Sequence, residues 1–327
     1  MNLIELYDSL ELPDSEPGNY LSAVSVPQHP NFRIAIDKEG NPVLLLTAAT
    51  ASRGSSIRNF RLKNLKLEQN VECRITESGK SFRLPFTIIT FTNSNRDLQE
   101  YFLRIAETLI KSLNTNPTPE QLSISLNKFI EVFRSMSDTP TKTVHGLWTE
   151  LFLISNSNDP KALLNFWHEI PEETFDFNSG QEKIEVKSSS RHERIHIFSS
   201  EQLNPPIGTQ VLIASIFIRQ NINGVDILQL VESITNKVRN HPELIEKLIS
   251  NVIKTLGSTL DQSTKIKFDI DIAKESLRFY KHQDLGKIEK IYIPDSVTEV
   301  RFKSDLSELY PINLTNLKSK GELFLGL

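Results

Sequence analysis

"TFDFNSGQEKIEVKSSSRHERIHIF", residues 174–198, carries two incompatible readings, and the choice between them decides the fold. His192, Glu193 and His196 spell H-E-x-x-H, the zinc-protease signature, which works only on a helix. There two histidines four apart share a face and grip one Zn2+, while the glutamate activates its water. The flanks refuse that helix. Ser188-Ser189-Ser190 is a poor lead-in for a buried helix. Ile195-His196-Ile197-Phe198 alternates as a strand does, and on a strand His192 and His196 stand roughly 13 Å apart. A zinc metalloprotease is therefore the remote alternative, and the histidines read better as surface or groove-lining residues.

The upstream half fits a strand. Ile184 and Val186 point to one face, and Glu185 and Lys187, two apart, project together from the other. In "TFDF", Phe175 and Phe177 bury one face and leave Asp176 on the opposite one, and Asn178-Ser179-Gly180 supplies a turn. A hairpin register placing Asp176 across from Glu185 is available. Two carboxylates then share one spot beside an ammonium, and a divalent cation is the natural counterweight to their repulsion.

A third acid lies upstream in "TVHGLWTELFLIS". Val144, Leu147, Trp148, Leu151 and Ile154 form an apolar helical stripe. At about 100° per residue Glu150 falls between Leu147 and Ile154 on one side and Gly146 and Leu153 on the other. An acid in an apolar sector needs a partner, because burying its charge is costly. Either it faces the metal site or it pairs with a lysine or arginine.

The bounds agree with a soluble globular protein. At 327 residues, 38% hydrophobic and 24% charged, the chain can bury a large core as one large domain or two ordinary ones. Cys73 is the only cysteine, so a disulfide within the chain and a four-cysteine zinc site are excluded, which fits a reducing cytoplasm. The first residues lack the basic and apolar regions of a secretory signal, and none is expected. Apolar runs such as residues 211–218 are too short to span a bilayer. A net charge of -4 argues against indiscriminate coating of nucleic acid, so DNA binding requires a local basic surface. One candidate is "SRGSSIRNFRLKNLK", with Arg53, Arg58, Arg61, Lys63 and Lys66 and no acid until Glu68. It reads either as a solvated loop or as a phosphate-contacting arm.

Ahead of the site, residues 1–115 read as a β-rich accessory region. "NFRIAID" and "PVLLLTA" flank a turn at 38–41, and "KLEQNVECRI" and "FRLPFTIITFT" continue the strands. "RDLQEYFLRIAETLIKSL" is helical, and "NTNPTP" marks the boundary before a domain over residues 116–327. Helices are predicted over 119–135, 143–156, 160–168, 227–238 and 242–256. "TQVLIASIFIRQ" is a buried strand, and "KIKFDIDI", "KIYIP" and "VTEVRF" read as short strands. The class is α/β (α+β), a central mixed sheet flanked by helices.

Together, Glu150 on a helix, Asp176 on one strand and Glu185-Val186-Lys187 on the next resemble the PD-(D/E)XK nuclease superfamily, with its restriction-endonuclease-like core. "GLWTELFL", "FDF", "IEVKSSS" and "RIHIFSSEQL" resemble more narrowly a bacterial family named for that motif and connected with restriction and phage defence. Phe175 stands in place of the motif's proline, a position that varies widely in the superfamily. The resemblance implies a Mg2+-dependent DNA endonuclease, with Mn2+ as a substitute ion. It implies metal binding by Asp176 and Glu185, with Glu150 in support, and catalysis by Lys187. It also nominates Gln202 on the next helix, whose other reading is an exposed helix-start residue. The implied partner is double-stranded DNA, with a methyltransferase or a helicase/ATPase of the same system, and homodimers that cut both strands. A catalytically silent DNA-binding subunit of a defence complex is the alternative, against which the intact Asp176, Glu185 and Lys187 set argues.

Overall fold

Alternation of apolar and polar residues through the first ninety positions becomes, in the computed structural model, a sheet that closes on itself. The structure describes residues 2–13, 20–47, 59–77, 79–114, 117–135, 143–170, 173–317 and 321–327. The chain forms two compact units, residues 1–139 and 140–327.

In the first unit, α1 (Leu3–Asp8) precedes strands β1 (Tyr20–Ser25), β2 (Phe32–Ile36), β3 (Pro42–Thr47), β4 (Phe60–Arg61), β5 (Leu65–Glu77) and β6 (Lys80–Phe91). Their order is β1-β2-β3-β6-β5-β4, and β1 also runs parallel to β5, with Leu21 beside Ile75. That extra pairing covers the outer side of β1, which would otherwise expose unpaired backbone groups. Leu21, Ala35, Leu45, Cys73, Ile75 and Phe86 share one core cluster of the sheet. Burial pushes the Cys73 thiol up to about 11, so it stays an inert core side chain. The turn between β2 and β3 forms where the sequence places it. Gly40 takes a φ of 81°, and Asp37 Oδ1 accepts from the Glu39 and Asn41 amides.

Helix α2 (Arg96–Ser112) starts where the Asn95 side chain caps the Asp97 amide, and its buried face includes Leu98, Phe102, Ile105 and Leu109. Phe102 stacks on Phe91 at 5.2 Å and meets Phe129 of α3 (Pro119–Ser135) edge-on at 5.8 Å. The division between units thus falls after α3 rather than at 115/116. The proline-rich break ends a helix without ending the unit.

The second unit opens with α4 (Val144–Asn156) and α5 (Pro160–Phe166), followed by β7 (Phe177–Asn178), β8 (Glu182–Ser189), β9 (Ile195–Ser199) and α6 (Ser200–Leu203). It continues with β10 (Gln210–Phe217), β11 (Gln220–Val225), α7 (Ile227–Lys237), α8 (Pro242–Leu256), α9 (Leu260–Ser263) and α10 (Ile270–Ser276). Strands β12 (Arg278–Lys281) and β13 (Arg301–Asp305) and α11 (Glu322–Leu325) complete it.

A four-stranded mixed sheet, β12-β10-β8-β7, forms the centre. Strand β10 is parallel to β8, with Ile213 beside Glu185, and its run from Val211 to Ile216 is buried throughout. On one face Val211 and Ile213 pack with Phe175, Phe198, Leu203 and Tyr280. The alternate residues, such as Ile184, Val186 and Leu212, are also buried and turn to the opposite face. Helix α4 packs along β8 and against α5, α7 and α8. This is a mixed α+β architecture of the restriction-endonuclease-like kind. Among the described residues no helix is long and apolar enough to cross a membrane.

Three C-terminal expectations are corrected. "KIKFDIDI" ends in α10, because the Asp269 side chain accepts from the Asp271 and Ile272 amides and so starts a helix. "KIYIP" forms a 3-10 turn at Lys290–Tyr292, and in "VTEVRF" the strand begins only at Arg301. "RFYK" is instead the edge strand β12, antiparallel to β10.

Helix α4 is fixed at its start by Trp148, whose Nε1 donates to the Val225 carbonyl at 2.8 Å and whose ring lies 5.1 Å from Phe268. Gly224 makes this approach feasible, since a Cβ there would come within 2.3 Å of the Phe268 carbonyl oxygen. Gly224→Ala should therefore lower unfolding stability by about 1–3 kcal/mol in urea titration. An unchanged midpoint would show that this backbone contact does not hold α4.

Candidate active site

Helix α4 begins at Thr143, whose side chain caps the Gly146 amide at 3.2 Å, and every residue from Leu147 to Ile154 is buried. Glu150 is thus carried into the interior at 2% exposure. Its Oε2 accepts two hydrogen bonds of 2.9 Å, from the Trp167 indole Nε1 and from His168 Nε2. Neither a lysine nor an arginine is the partner the structure gives these contacts. The donors come from the segment that leaves α5.

Trp167 ends α5 in an extended conformation and bridges Phe177 in antiparallel fashion. The His168 amide then donates to the Asp176 carbonyl at 3.0 Å, which sets the two residues side by side. Asp176 stands one residue before β7, where Phe177 pairs with Ile184. Its Oδ2 accepts from the Val186 amide at 2.8 Å. One ligand atom each from Glu150, His168 and Asp176 lies within 4.8 Å of the others, and all three residues are buried.

Glu185 and Lys187 flank the same Val186 amide. Glu185 Oε1 is 2.7 Å from Lys187 Nζ, with the carboxylate side chain 6% and the lysine 20% exposed. Lys187 Nζ also donates to Gln202 Oε1 at 3.4 Å and lies 5.1 Å from the Phe198 ring centre. Gln202 is itself fixed. Its Oε1 accepts from the Ser199 amide in a capping box, and its Nε2 donates to the Thr174 carbonyl at 3.0 Å. The expected residues thus form two linked groups, Glu150 with Asp176 and Glu185 with Lys187 and Gln202. His168 joins the first group unannounced. Its only sequence signal is a histidine beside a tryptophan at a helix end, and the pairing that makes it a neighbour of Asp176 is nonlocal.

The H-E-x-x-H residues lie on a turn and a strand, as their alternation requires, and the zinc-protease arrangement is excluded. His192 and Glu193 are exposed, with His192 Nε2 3.3 Å from Arg219 Nη2. His196 on β9 is buried, and its Nε2 is bonded to Ser215 Oγ at 2.8 Å. In the basic stretch, Arg53 and Arg58 lie outside the described residues. Arg61 pairs in register with Lys66 across the β4/β5 hairpin, Arg61 and Lys63 are exposed, and Lys66 Nζ sits 2.7 Å from Glu68.

Chemically, the first group offers two carboxylates and an imidazole at spacings that suit a divalent cation, with an ammonium held close by. Burial foremost, helped by the charges of Lys187 and Arg194, depresses His196 from 6.5 to about 4. Its folded pKa lies below the unfolded one, so the unfolded chain binds more protons between those values. The stability this contributes is complete above about pH 6.5 and is lost as the pH falls towards 4, by up to about 3 kcal/mol. Urea titrations across that window should show His196→Gln with a flatter pH dependence than the unaltered protein. Parallel curves would remove His196 as the cause.

The model of a family described as "Putative PD-(D/E)XK family member, (DUF4420)" matches residues 3–307, nearly the whole chain. No curated protein and no solved structure matches.

Proposed function

The chain belongs to that family, and from this premise we propose that it is a metal-dependent deoxyribonuclease, an endonuclease hydrolysing phosphodiester bonds of double-stranded DNA. The observation that carries the reading is the convergence on the Val186 amide. Asp176 accepts its hydrogen, Glu150 and His168 cluster with Asp176, and Glu185 and Lys187 stand on either side. A nuclease has to neutralise charge on the phosphoryl group and generate a nucleophile, because the uncatalysed reaction is among the slowest known.

The donor set fits a divalent cation, since buried carboxylates are the ligands that hard ions take. Asp176, Glu185 and Glu150 would hold Mg2+, with Mn2+ as its substitute. Such an ion supplies a polarised phosphoryl oxygen and a bound water of lowered pKa. Lys187 presents its ammonium to the charge that develops on the phosphoryl oxygens, aimed by Glu185 and Gln202 and backed by Phe198. Trp167 holds the Glu150 carboxylate in place.

Arg61 and Lys63 contact phosphates in this proposal, with Arg53, Arg58 and Lys66 extending the same arm. The protein acts in the cytoplasm in a bacterial restriction or phage-defence system, with a methyltransferase or helicase/ATPase as partner and a homodimer cutting both strands.

Lys187→Ala and Asp176→Ala should each abolish plasmid cleavage in Mg2+ or Mn2+, while His192→Ala keeps it. Full activity in either of the first two variants would refute the assignment. Charge removal at Arg61 and Lys63 should flatten the salt dependence of DNA binding by roughly one unit per lost contact, with sequence preference unchanged. An unaltered slope returns the hairpin to a solvated surface.

A further inference from the structure

The cluster of Glu150, His168 and Asp176 contains one nitrogen donor. We propose that His168 is itself a ligand of the bound ion, through Nε2, and that its imidazole makes the site select Mn2+ over Mg2+. This rests on the metal-dependent reading, adds to it a ligand, and puts Mn2+ ahead of Mg2+ as the preferred ion.

The spacing supports ligation. An ion bound at about 2.0–2.2 Å in octahedral geometry places neighbouring ligand atoms about 3 Å apart and opposite ones about 4.2 Å apart. His168 Nε2 and Glu150 Oε2 are 2.9 Å apart, the length of such an edge. The third donor, from Asp176, is no more than 4.8 Å from the other two. A cation can therefore replace the hydrogen bond, seated to one side of the line from Nε2 to Oε2, once the imidazole turns to aim its Nε2 lone pair at the ion. A histidine ligating through Nε2 carries its proton on Nδ1.

His168 is also built in as rigidly as a ligand needs to be. Its amide donates to the Asp176 carbonyl at 3.0 Å, and its own carbonyl accepts from the Asn251 side chain on α8. Asn251 is a buried amide on α8, and its side chain donates to the His168 carbonyl. Trp167 Nε1 donates to the same Glu150 oxygen, and an indole N–H can only donate. It can go on orienting Glu150 after the ion displaces the bond from His168.

The choice of ion follows from donor chemistry. Mg2+ gives up water reluctantly and takes oxygen ligands, so an imidazole adds little to its binding. Transition ions gain from nitrogen, and the neighbouring carboxylates favour the hardest of them, Mn2+.

The test uses the full chain, titrated calorimetrically with MnCl2 and with MgCl2, and pulsed EPR of the Mn2+-loaded protein. Mn2+ should bind about tenfold more tightly than Mg2+. Its spin echo should show 14N modulation from a directly bound imidazole, a readout on the unaltered protein that needs no variant to fold. His168→Gln keeps a donor for Glu150 and should abolish the modulation and narrow the Mn2+/Mg2+ ratio by about fivefold or more. Mn2+ bound without 14N modulation, or an unchanged ratio in His168→Gln, overturns the proposal. Asp176→Ala separates the two readings. If it abolishes binding of both ions while His168→Gln changes nothing, the metal site stands and the role of His168 falls. If the unaltered protein binds neither ion at millimolar concentration, both fall.

Discussion

A carboxylate buried on α4 has to be met by donors, because an ionised group taken out of water without hydrogen bonds is costly. Glu150 meets that demand through Trp167 and His168, and the second unit is arranged around the solution. To present both donors, the chain must leave α5 in an extended conformation. That conformation pairs with residues 176–177, which sets Asp176 beside His168, and the Val186 amide between Glu185 and Lys187 then donates to Asp176. Hydrogen bonds to charged groups contribute roughly 1.5–3 kcal/mol each. The pair at Glu150 is thus large against the net stability of a domain, about 5–15 kcal/mol.

What the sequence disclosed is what short-range periodicity encodes. The common face of Glu185 and Lys187, the turn at 178–180 and the apolar surroundings of Glu150 all follow from spacings of two to four residues, and the structure has them. The hairpin is shorter than "TFDF" advertises, for a reason that side-chain patterns do not carry. The Asp176 carboxylate takes the Val186 amide and its carbonyl takes the His168 amide, so the regular ladder stops at Phe177. His168 was invisible for the same reason, since its neighbours are chosen by a two-residue pairing with no periodicity of its own. Asp269 shows the converse failure. The alternation of "KIKFDIDI" promised a strand, and a single capping side chain turned it into a helix start.

The residues of the discarded zinc motif have a definite occupation. Arg194 donates through Nη1 to the Ser215 carbonyl and hydroxyl and lies over the Phe217 ring at 4.3 Å. His196 bonds the same Ser215 hydroxyl from β9. Together they tie the β9 ribbon to β10, and β9 carries Phe198, the ring near Lys187. A polar network of this kind, satisfied and buried, fixes the position of the strand more sharply than apolar packing alone. The lysine therefore rests on a surface whose placement two of the H-E-x-x-H residues determine.

The charge balance of the site leads to the same kind of ion as its geometry. Glu150, Asp176 and Glu185 bring three carboxylates into a region where each is at most 7% exposed. Lys187 offsets one of them through its 2.7 Å contact with Glu185. Water is too scarce there to screen carboxylates as it does at the surface, so acids brought this close need positive charge or donated hydrogens around them. Hydrogen bonds from Trp167, His168 and the Val186 amide orient Glu150 and Asp176. In the proposed reading a divalent ion would meet that need and keep coordination positions open for oxygen, the combination that phosphodiester hydrolysis demands.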